Sequence, residues 1–115
     1  MTRVKRGTIK NKRRKETLSK VKGYRYGRGS KKRQAEEAIV HAGTHAFAHR
    51  KDKKADFRRL WQIKISAGLK EHELSYSKFI KMLKDGGIEL DRKILADLAE
   101  NEPEAFNRIV EEVKS

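Results

Sequence analysis

The positive charge of the first 60 residues is the feature that most limits how this chain can fold. Residues 1–60 contain 21 Lys and Arg against 5 Asp and Glu, a net charge of +16, whereas residues 61–115 contain 9 against 11, a net charge of −2. Repulsion among so many cations opposes compaction unless a polyanion supplies the opposite charge. We therefore predict two parts, a basic extension over residues 1–56 and a globular domain over residues 57–115.

The start of the extension lacks the apolar side chains that a core requires. Residues 1–34 hold seven apolar or aromatic side chains, Met1 among them, and one acid, Glu16, against fifteen Lys and Arg. Ordering the backbone costs about 1–2 kcal/mol per residue, which seven scattered side chains cannot return. We expect this arm to be largely unstructured alone in water, with residues 11–22 becoming helical where an anion stabilises them.

The rest of the extension has the pattern of one long helix. From Lys31 to Leu69 there is no proline, and apolar residues recur at helical spacing. A continuous helix of that length would span about 55 Å. In HRKDKKADFRR (49–59) the cations surround the helix axis, so the helix has no core face. Phosphates on several sides would satisfy this charge, which favours insertion into folded nucleic acid over a membrane surface or a single groove.

Composition excludes several other classes of protein. With 115 residues there is room for one domain at most, and without cysteine neither a disulfide framework nor a Cys-containing zinc site can form. No apolar run approaches the roughly 20 residues that cross a bilayer, and no apolar segment follows the basic stretch MTRVKRGTIK as in a secretory signal. We predict a soluble, cytoplasmic protein with no membrane partner and no small-molecule substrate. A solvated charged face is the alternative explanation of the basic half, although counterion release makes nucleic-acid affinity close to unavoidable.

Three histidines share one face of the predicted long helix. His41, His45 and His49 stand at i, i+4 and i+8, a spacing that can bind zinc. No carboxylate or cysteine joins them in register, and Arg50 and Lys51 would repel a divalent ion. We therefore predict no metal and no cofactor. Contact of His45 with nucleic acid is the interpretation we favour, with plain surface histidines as the alternative.

The C-terminal half has the pattern of a small helical domain. Ser75 is a candidate N-cap for a helix over residues 76–85, Gly86-Gly87 ends it, Asp91 caps a third helix, and Pro103 begins a fourth. The side chains expected to face the core recur at helical spacing: Phe57, Leu60, Trp61, Ile65, Leu69, Phe79, Ile80, Leu83, Ile94, Leu95, Leu98, Phe106, Ile109, Val110 and Val113. The predicted fold class is all-α, a long basic helical N-terminal extension plus a small C-terminal four-helix domain. No nucleophile–base pair is present, and we predict no enzyme.

Six stretches spread over nearly the whole chain match one known pattern: RVKRG (3–7), KGY (22–24), AG with HAFAHRK behind it (42–51), DFRRLWQIKISAG (56–68), SYSKFI (75–80) and IELDRKILADLA (88–99). With these stretches the chain resembles the bacterial large-subunit ribosomal protein L-twenty family. The resemblance implies a basic helical extension threaded through large-subunit ribosomal RNA, a helical domain near the surface, neighbouring large-subunit ribosomal proteins as partners, and a role early in subunit assembly. In some bacteria the globular domain also represses translation by binding the leader of its own messenger RNA.

The resemblance also implies which residues bind RNA. Those in matching motifs of the extension are Arg3, Lys5, Arg6, Lys22, Gly23, Tyr24, Arg50, Lys51, Arg58 and Arg59. Those in matching motifs of the globular domain are Ser75, Tyr76, Ser77, Lys78, Arg92 and Lys93. Their neighbours in the basic stretches complete the predicted RNA-binding set: Lys10, Lys12, Arg13, Arg14, Arg25, Arg28, Lys31, Arg33, Lys53 and Lys54.

The chain departs from the family pattern in a few places. Gly29-Ser30-Lys31-Lys32 stands where a serine and then a Leu-Tyr or similar pair are usual, so one aromatic contact is replaced by charge, and Gly68 stands where alanine is usual. We interpret residues 22–33 as a hinge that RNA moulds, with Tyr24 stacking on a base or sugar. A DNA-binding protein that uses helices 76–85 and 92–100 as a helix-turn-helix is the competing hypothesis.

Overall fold

The computed structural model describes residues 2–115, and every regular element in that range is helical. The five α-helices are α1 (Arg6–Ser19), α2 (Lys32–Leu69), α3 (Tyr76–Asp85), α4 (Arg92–Asn101) and α5 (Pro103–Lys114), with short 3-10 turns at Tyr26–Arg28 and Lys70–His72. The chain divides into two compact units between Arg50 and Lys51. The all-α fold class is confirmed, as is a continuous helix over nearly all of residues 31–69. Met1, counted above with the arm's apolar residues, lies outside the described part.

The first unit contains a helix that begins earlier than the sequence indicated. α1 starts at Arg6, and Thr8 Oγ1 donates to the Lys5 carbonyl oxygen at 2.7 Å beside its first turn. None of its side chains is buried. Instead, Val21 just beyond α1 and Ala35 on α2 are fully buried. Two small apolar side chains thus anchor this unit, a packing too sparse to appear as a periodic sequence pattern.

A tight turn joins α1 to α2. The Tyr24 amide donates to the Val21 carbonyl oxygen at 3.1 Å, and the Lys31 amide donates to the Gly27 carbonyl oxygen at 2.8 Å. A Cβ at Gly29 would lie 2.9 Å from the Tyr24 carbonyl oxygen, so only glycine allows the chain to return this closely on itself. Across the turn, Arg14 Nη2 on α1 donates to the Ser30 carbonyl oxygen at 3.1 Å.

The second unit has one continuous apolar core. Side chains from α2, α3, α4 and α5 contribute to it, and its buried members are Ile65, Leu69, Phe79, Leu83, Leu95, Ala96, Phe106 and Val110. The rings of Phe79 and Phe106 pack in a tilted arrangement, with centroids 5.8 Å apart and planes inclined by 56°, and this separation is typical of favourable aromatic pairs. Trp61, Ile80, Leu98, Ile109 and Val113 are half-buried against this core. Four helices therefore share the core, as predicted.

Three residues predicted to face the core do not. Phe57 is 50% exposed, Leu60 is 42% exposed and Ile94 is 46% exposed. On α2 every residue of 51–60 is exposed and the first fully buried side chain after this stretch is Ile65, so only the last turns of the helix pack against the core of the second unit. Ile94 lies in the first turn of α4, where its amide is used for capping.

The helix ends in this unit agree only in part with the expected caps. Asp91 Oδ1 accepts from the Ile94 amide at 2.8 Å, which confirms the predicted cap of α4. Ser75 precedes α3 in an extended conformation, but its side chain makes no capping hydrogen bond, so that prediction was wrong in its chemistry. After α3 only Gly87 has a positive φ, 68°, while Gly86 remains right-handed. Pro103 is the first residue of α5, as predicted.

Gly68 is held in close packing near the end of α2. A Cβ at this position would lie 3.0 Å from Phe106 Cε1 and 3.3 Å from the Ala99 Cβ. The missing side chain thus lets α5 and α4 side chains approach the α2 backbone. No helix within residues 2–115 is both long enough and apolar enough to span a membrane.

The two caps give a matched pair of variants. Asp91→Ala removes a capping acceptor and should lower the free energy of unfolding of the second unit by about 1 kcal/mol. Ser75→Ala removes a side chain that caps nothing and should change it by less than about 0.5 kcal/mol. Urea unfolding followed by circular dichroism measures both, and equal losses for the two variants would contradict this assignment of the caps.

The aromatic pair in the core gives a second stability prediction. Phe106→Ala should lower the free energy of unfolding by about 3–5 kcal/mol, because it removes a fully buried ring and leaves a cavity beside Phe79. Phe47→Ala is the control, since that ring is 75% exposed and its loss should cost less than about 0.5 kcal/mol. A small effect of Phe106→Ala in the urea midpoint would mean that the core collapses around the vacant space.

Candidate nucleic-acid interface

Within residues 2–115 the Lys and Arg side chains predicted to bind RNA form no ion pair, although Arg14 and Arg92 each donate a hydrogen bond within the chain. The ion pairs in the described part are Lys32–Glu36, His41–Glu37 and Lys64–Glu100, and none includes a Lys or Arg of the predicted set. All of those Lys and Arg side chains are also exposed. An exposed cation without an internal partner keeps its full charge available to an external anion. Lys64 is different, because its Nζ is already bonded to Glu100 Oε2.

The cations of the N-terminal segment lie before and on α1. Arg3 and Lys5 precede the helix, and the others occupy it: Arg6, Lys10, Lys12, Arg13 and Arg14. Because no residue of α1 is buried, the helix presents charge around its circumference rather than along one stripe. The single intramolecular use of these side chains is the Arg14 bond to the Ser30 carbonyl oxygen.

The turn before α2 gathers a second group of predicted residues. They are Lys22, Gly23, Tyr24, Arg25, Arg28, Lys31 and Arg33, and all are exposed. The Arg25 guanidinium carbon lies 5.1 Å from the centroid of the Tyr26 ring, a cation–π contact that leaves the other face of the ring free. Tyr26 adopts φ 55° and is 84% exposed. Tyr26 is not among the predicted RNA-binding residues, although the arginine directly before it in the sequence is a signal for such a cation–π contact.

The middle of α2 is exposed on every side. Each residue of 40–60 is exposed, and this segment carries the predicted residues Arg50, Lys51, Lys53, Lys54, Arg58 and Arg59. No face of this helical stretch is covered by the described chain, in agreement with the expectation of a helix without a core face. Such a stretch can receive phosphates from several directions at once.

Aromatic rings interleave with these cations. The Arg50 guanidinium carbon lies 5.8 Å from the Phe47 ring centroid, and the Phe57 and Trp61 rings lie 6.4 Å apart. Phe57, Trp61 and the stems of Lys53, Lys54 and Arg58 line a shallow cleft of about 250 Å³. Exposed rings among cations are the arrangement on which nucleic-acid bases and sugars stack. Neither Phe47 nor Phe57 was predicted as a site residue. Helical spacing alone had assigned Phe57 to the core.

The histidines lie close together on the exposed helix. The His45 and His49 ring centroids are 5.9 Å apart, and His41 Nε2 is 3.7 Å from Glu37 Oε1. Within residues 2–115 no three potential metal ligands of the His, Asp or Glu type come together. His45 is exposed on the same stretch as the cations, so its predicted contact with nucleic acid stays a prediction.

The second unit brings together two of the predicted motifs. Arg92 Nε at the start of α4 donates to Tyr76 Oη at the start of α3 over 2.9 Å, which holds the guanidinium while its terminal nitrogens stay free. Ser75, Ser77 and Lys78 are exposed beside Tyr76. The two stretches are ten or more residues apart in sequence, and their proximity is a property of the fold.

One side of α4, where Asp97 and Glu100 lie, is poorly suited to phosphates. Lys93 lines a cleft of about 450 Å³ together with Trp61 and the acids Asp91, Asp97 and Glu100. Carboxylates on the exposed side of the helix would repel phosphates of a DNA groove. This arrangement disfavours the helix-turn-helix hypothesis.

The sequence of this chain is similar to those of known proteins over nearly its whole length. The sequence profile of the family described as "Ribosomal protein L20" matches residues 3–109. The chain is 51% identical over 114 residues to "Large ribosomal subunit protein bL20" of Leptospira biflexa serovar Patoc, covering 99% of this chain and 97% of that protein. It is 46% identical over 114 residues to the protein of the same name from Roseiflexus sp., with 99% and 97% covered. The corresponding Chloroflexus aurantiacus protein is 47% identical over 115 residues, with 100% and 97% covered.

A family profile that matches nearly the whole chain, and relatives near 50% identity over both the basic and the globular unit, lead to one assignment. The chain belongs to the ribosomal protein L20 family.

Proposed function

We propose that this chain is a structural constituent of the large ribosomal subunit that binds large-subunit ribosomal RNA directly and promotes early subunit assembly. The observation that carries the proposal is the set of exposed cations without internal partners, which surround the helix axis over residues 40–60. The relatives named above are large-subunit proteins, which supports the same subunit for this chain. As a ribosomal protein it acts in the cytoplasm, in the ribosome, and it is not an enzyme.

The mechanism we propose is electrostatic. Where RNA helices crowd together, their phosphates repel one another, and a helix charged on all sides lowers the free energy of that arrangement. Arginine offers a planar fork that bonds two phosphate oxygens and stacks on bases, whereas lysine neutralises charge as a point. Structured RNA is recognised largely through shape and 2′-hydroxyl groups, so we expect few base-specific contacts. Neighbouring large-subunit proteins would then add to a particle whose RNA is already compact.

Binding should depend steeply on salt. If about 6–10 phosphates are contacted, the logarithm of affinity for ribosomal RNA falls linearly with log salt, by about 0.7–0.9 per phosphate. The double variant Arg58→Ala, Arg59→Ala should make this slope shallower by about 2, because two phosphate contacts are lost. Filter binding at several salt concentrations measures the slope.

The matched control removes two cations that already have partners in the chain. Lys64 is paired with Glu100, and Lys114 Nζ donates to the His72 carbonyl oxygen at 3.1 Å. Lys64→Ala, Lys114→Ala should therefore leave the slope nearly unchanged. A shallow slope for the natural chain, or equal affinity for random duplex DNA, would rule out specific binding to ribosomal RNA.

A second candidate function is repression of translation through the leader of the chain's own messenger RNA. What favours it is the Arg92–Tyr76 pair, which presents a fixed guanidinium on a unit that has its own core and little net charge. A surface of this kind can recognise one folded RNA without the bulk attraction of the extension. The proposal concerns residues 57–115, the globular domain predicted from sequence.

Repression can be tested by translating the messenger RNA in vitro while adding the full chain. We expect synthesis to fall as the chain is added, and Arg92→Ala to weaken leader binding about tenfold, the loss typical of a charge-assisted hydrogen bond. Lys114→Ala serves as the control, since it also removes one cation from this unit. No effect of the natural chain on its own translation would remove the regulatory role and leave the ribosomal one intact.

A further inference from the structure

A cleft of about 480 Å³ opens in the first unit between the 22–33 turn and the N-terminal half of α2. Its aromatic and charged lining consists of Tyr24, Arg28, Glu37, His41 and His45, and two alanines of α2 complete the wall. The volume falls within the range of about 300–1,000 Å³ found for small-ligand sites. The cleft is therefore large enough for one nucleotide.

The wall that carries Tyr24 is fixed by the chain itself. Val21 is fully buried and its carbonyl oxygen accepts from the Tyr24 amide at 3.1 Å. On the other side Gly29 approaches the Tyr24 carbonyl so closely that a Cβ would lie 2.9 Å away. The backbone of Tyr24 is thus held from two directions, and the ring remains partly exposed toward the cleft.

Glu37 is the unexpected member of this lining. It is one of only 5 acids in residues 1–60, and a carboxylate repels the phosphates that the surrounding cations attract. Its neighbour Glu36 is paired with Lys32 at 3.3 Å, whereas Glu37 Oε1 lies 3.7 Å from His41 Nε2, too far for a hydrogen bond. Glu37 is 73% exposed, so its oxygens are available to a ligand. A ligand that suits this wall must present hydrogen-bond donors to Glu37 and an aromatic face to Tyr24.

Among the four RNA bases, guanine fits this requirement. Its Watson–Crick edge presents two adjacent donors, N1–H and N2–H, which match the two acceptor oxygens of a carboxylate. Adenine and cytosine place a ring acceptor beside their amino group, and uracil places its N–H between two carbonyl oxygens. Each of these would oppose a carboxylate with at least one lone pair. Unpaired bases bound by stacking on an aromatic ring and by their Watson–Crick edge are common in single-stranded RNA recognition.

We propose that this cleft binds an unpaired guanine nucleotide of large-subunit ribosomal RNA, with the base stacked on Tyr24 and its Watson–Crick edge donating to Glu37. Arg28 stands in the same lining and supplies charge for the attached phosphate. The inference rests on the proposed RNA-binding function. It adds one base-specific contact to an extension whose other proposed contacts are with phosphate charge. His41 and His45 complete the wall beside Glu37.

The test uses kethoxal, a reagent that adds to N1 and N2 of unpaired guanines. The full chain is bound to large-subunit ribosomal RNA transcribed from the genome that encodes it, and reactive guanines are mapped with and without protein. We expect at least one guanine to be protected by the natural chain and to become reactive with Glu37→Ala, because no acceptor then faces N1–H and N2–H. Glu36→Ala is the matched control, since it removes the adjacent carboxylate and should keep the protection.

A second pair of variants tests the stacking wall. Tyr24→Leu should lose protection at the same guanine, and Tyr24→Phe should retain it because the ring remains. An identical set of protected guanines for the natural chain and Glu37→Ala would overturn the guanine site while leaving RNA binding in place. Failure of the natural chain to bind the RNA in the salt series would instead overturn the proposed function, and the guanine site with it.

Discussion

Charge repulsion within residues 1–60 is the constraint on which the rest of the molecule depends. Residues 1–60 contain far fewer acids than Lys and Arg. Among the described ion pairs, Lys32 is the one Lys or Arg of this segment that has an acidic partner. The long helix α2 keeps these cations apart, because a helix satisfies its backbone hydrogen bonds internally and directs its side chains outward. Every residue of 40–60 is exposed, and in the proposed function an external polyanion neutralises the cations among them.

The second unit is built on a different balance of forces. Its stability comes from an apolar core centred on Phe79 and Phe106, and its charges are nearly balanced. The Arg92–Tyr76 pair, which belongs to the proposed RNA-binding surface, therefore lies on a unit that has its own apolar core.

Most of the helices were predictable from the sequence, because apolar spacing, Pro103, Gly87 and Asp91 all act locally. The errors concern tertiary position. Phe57 has the spacing of a core residue yet lies on a part of α2 that nothing in the second unit covers, and only the fold shows where packing begins. Val21 was not predicted to be buried, because a single buried side chain creates no periodic pattern in the sequence. Charge and resemblance were enough to predict RNA-binding residues from the sequence. The hydrogen bond between Arg92 and Tyr76, and the placement of Tyr24 and Glu37 in one cleft, could be seen only in the folded chain.

The close packing at Gly68 has an evolutionary consequence. A methyl group added there meets Phe106 Cε1 at 3.0 Å and the Ala99 Cβ at 3.3 Å, so alanine at position 68 needs a smaller or displaced partner. The family resemblance implies alanine at this position in other members. We therefore expect residues 68, 99 and 106 to change together between members of the family. Exchanging one of them alone between two relatives should lower the free energy of unfolding, whereas exchanging all three together should not.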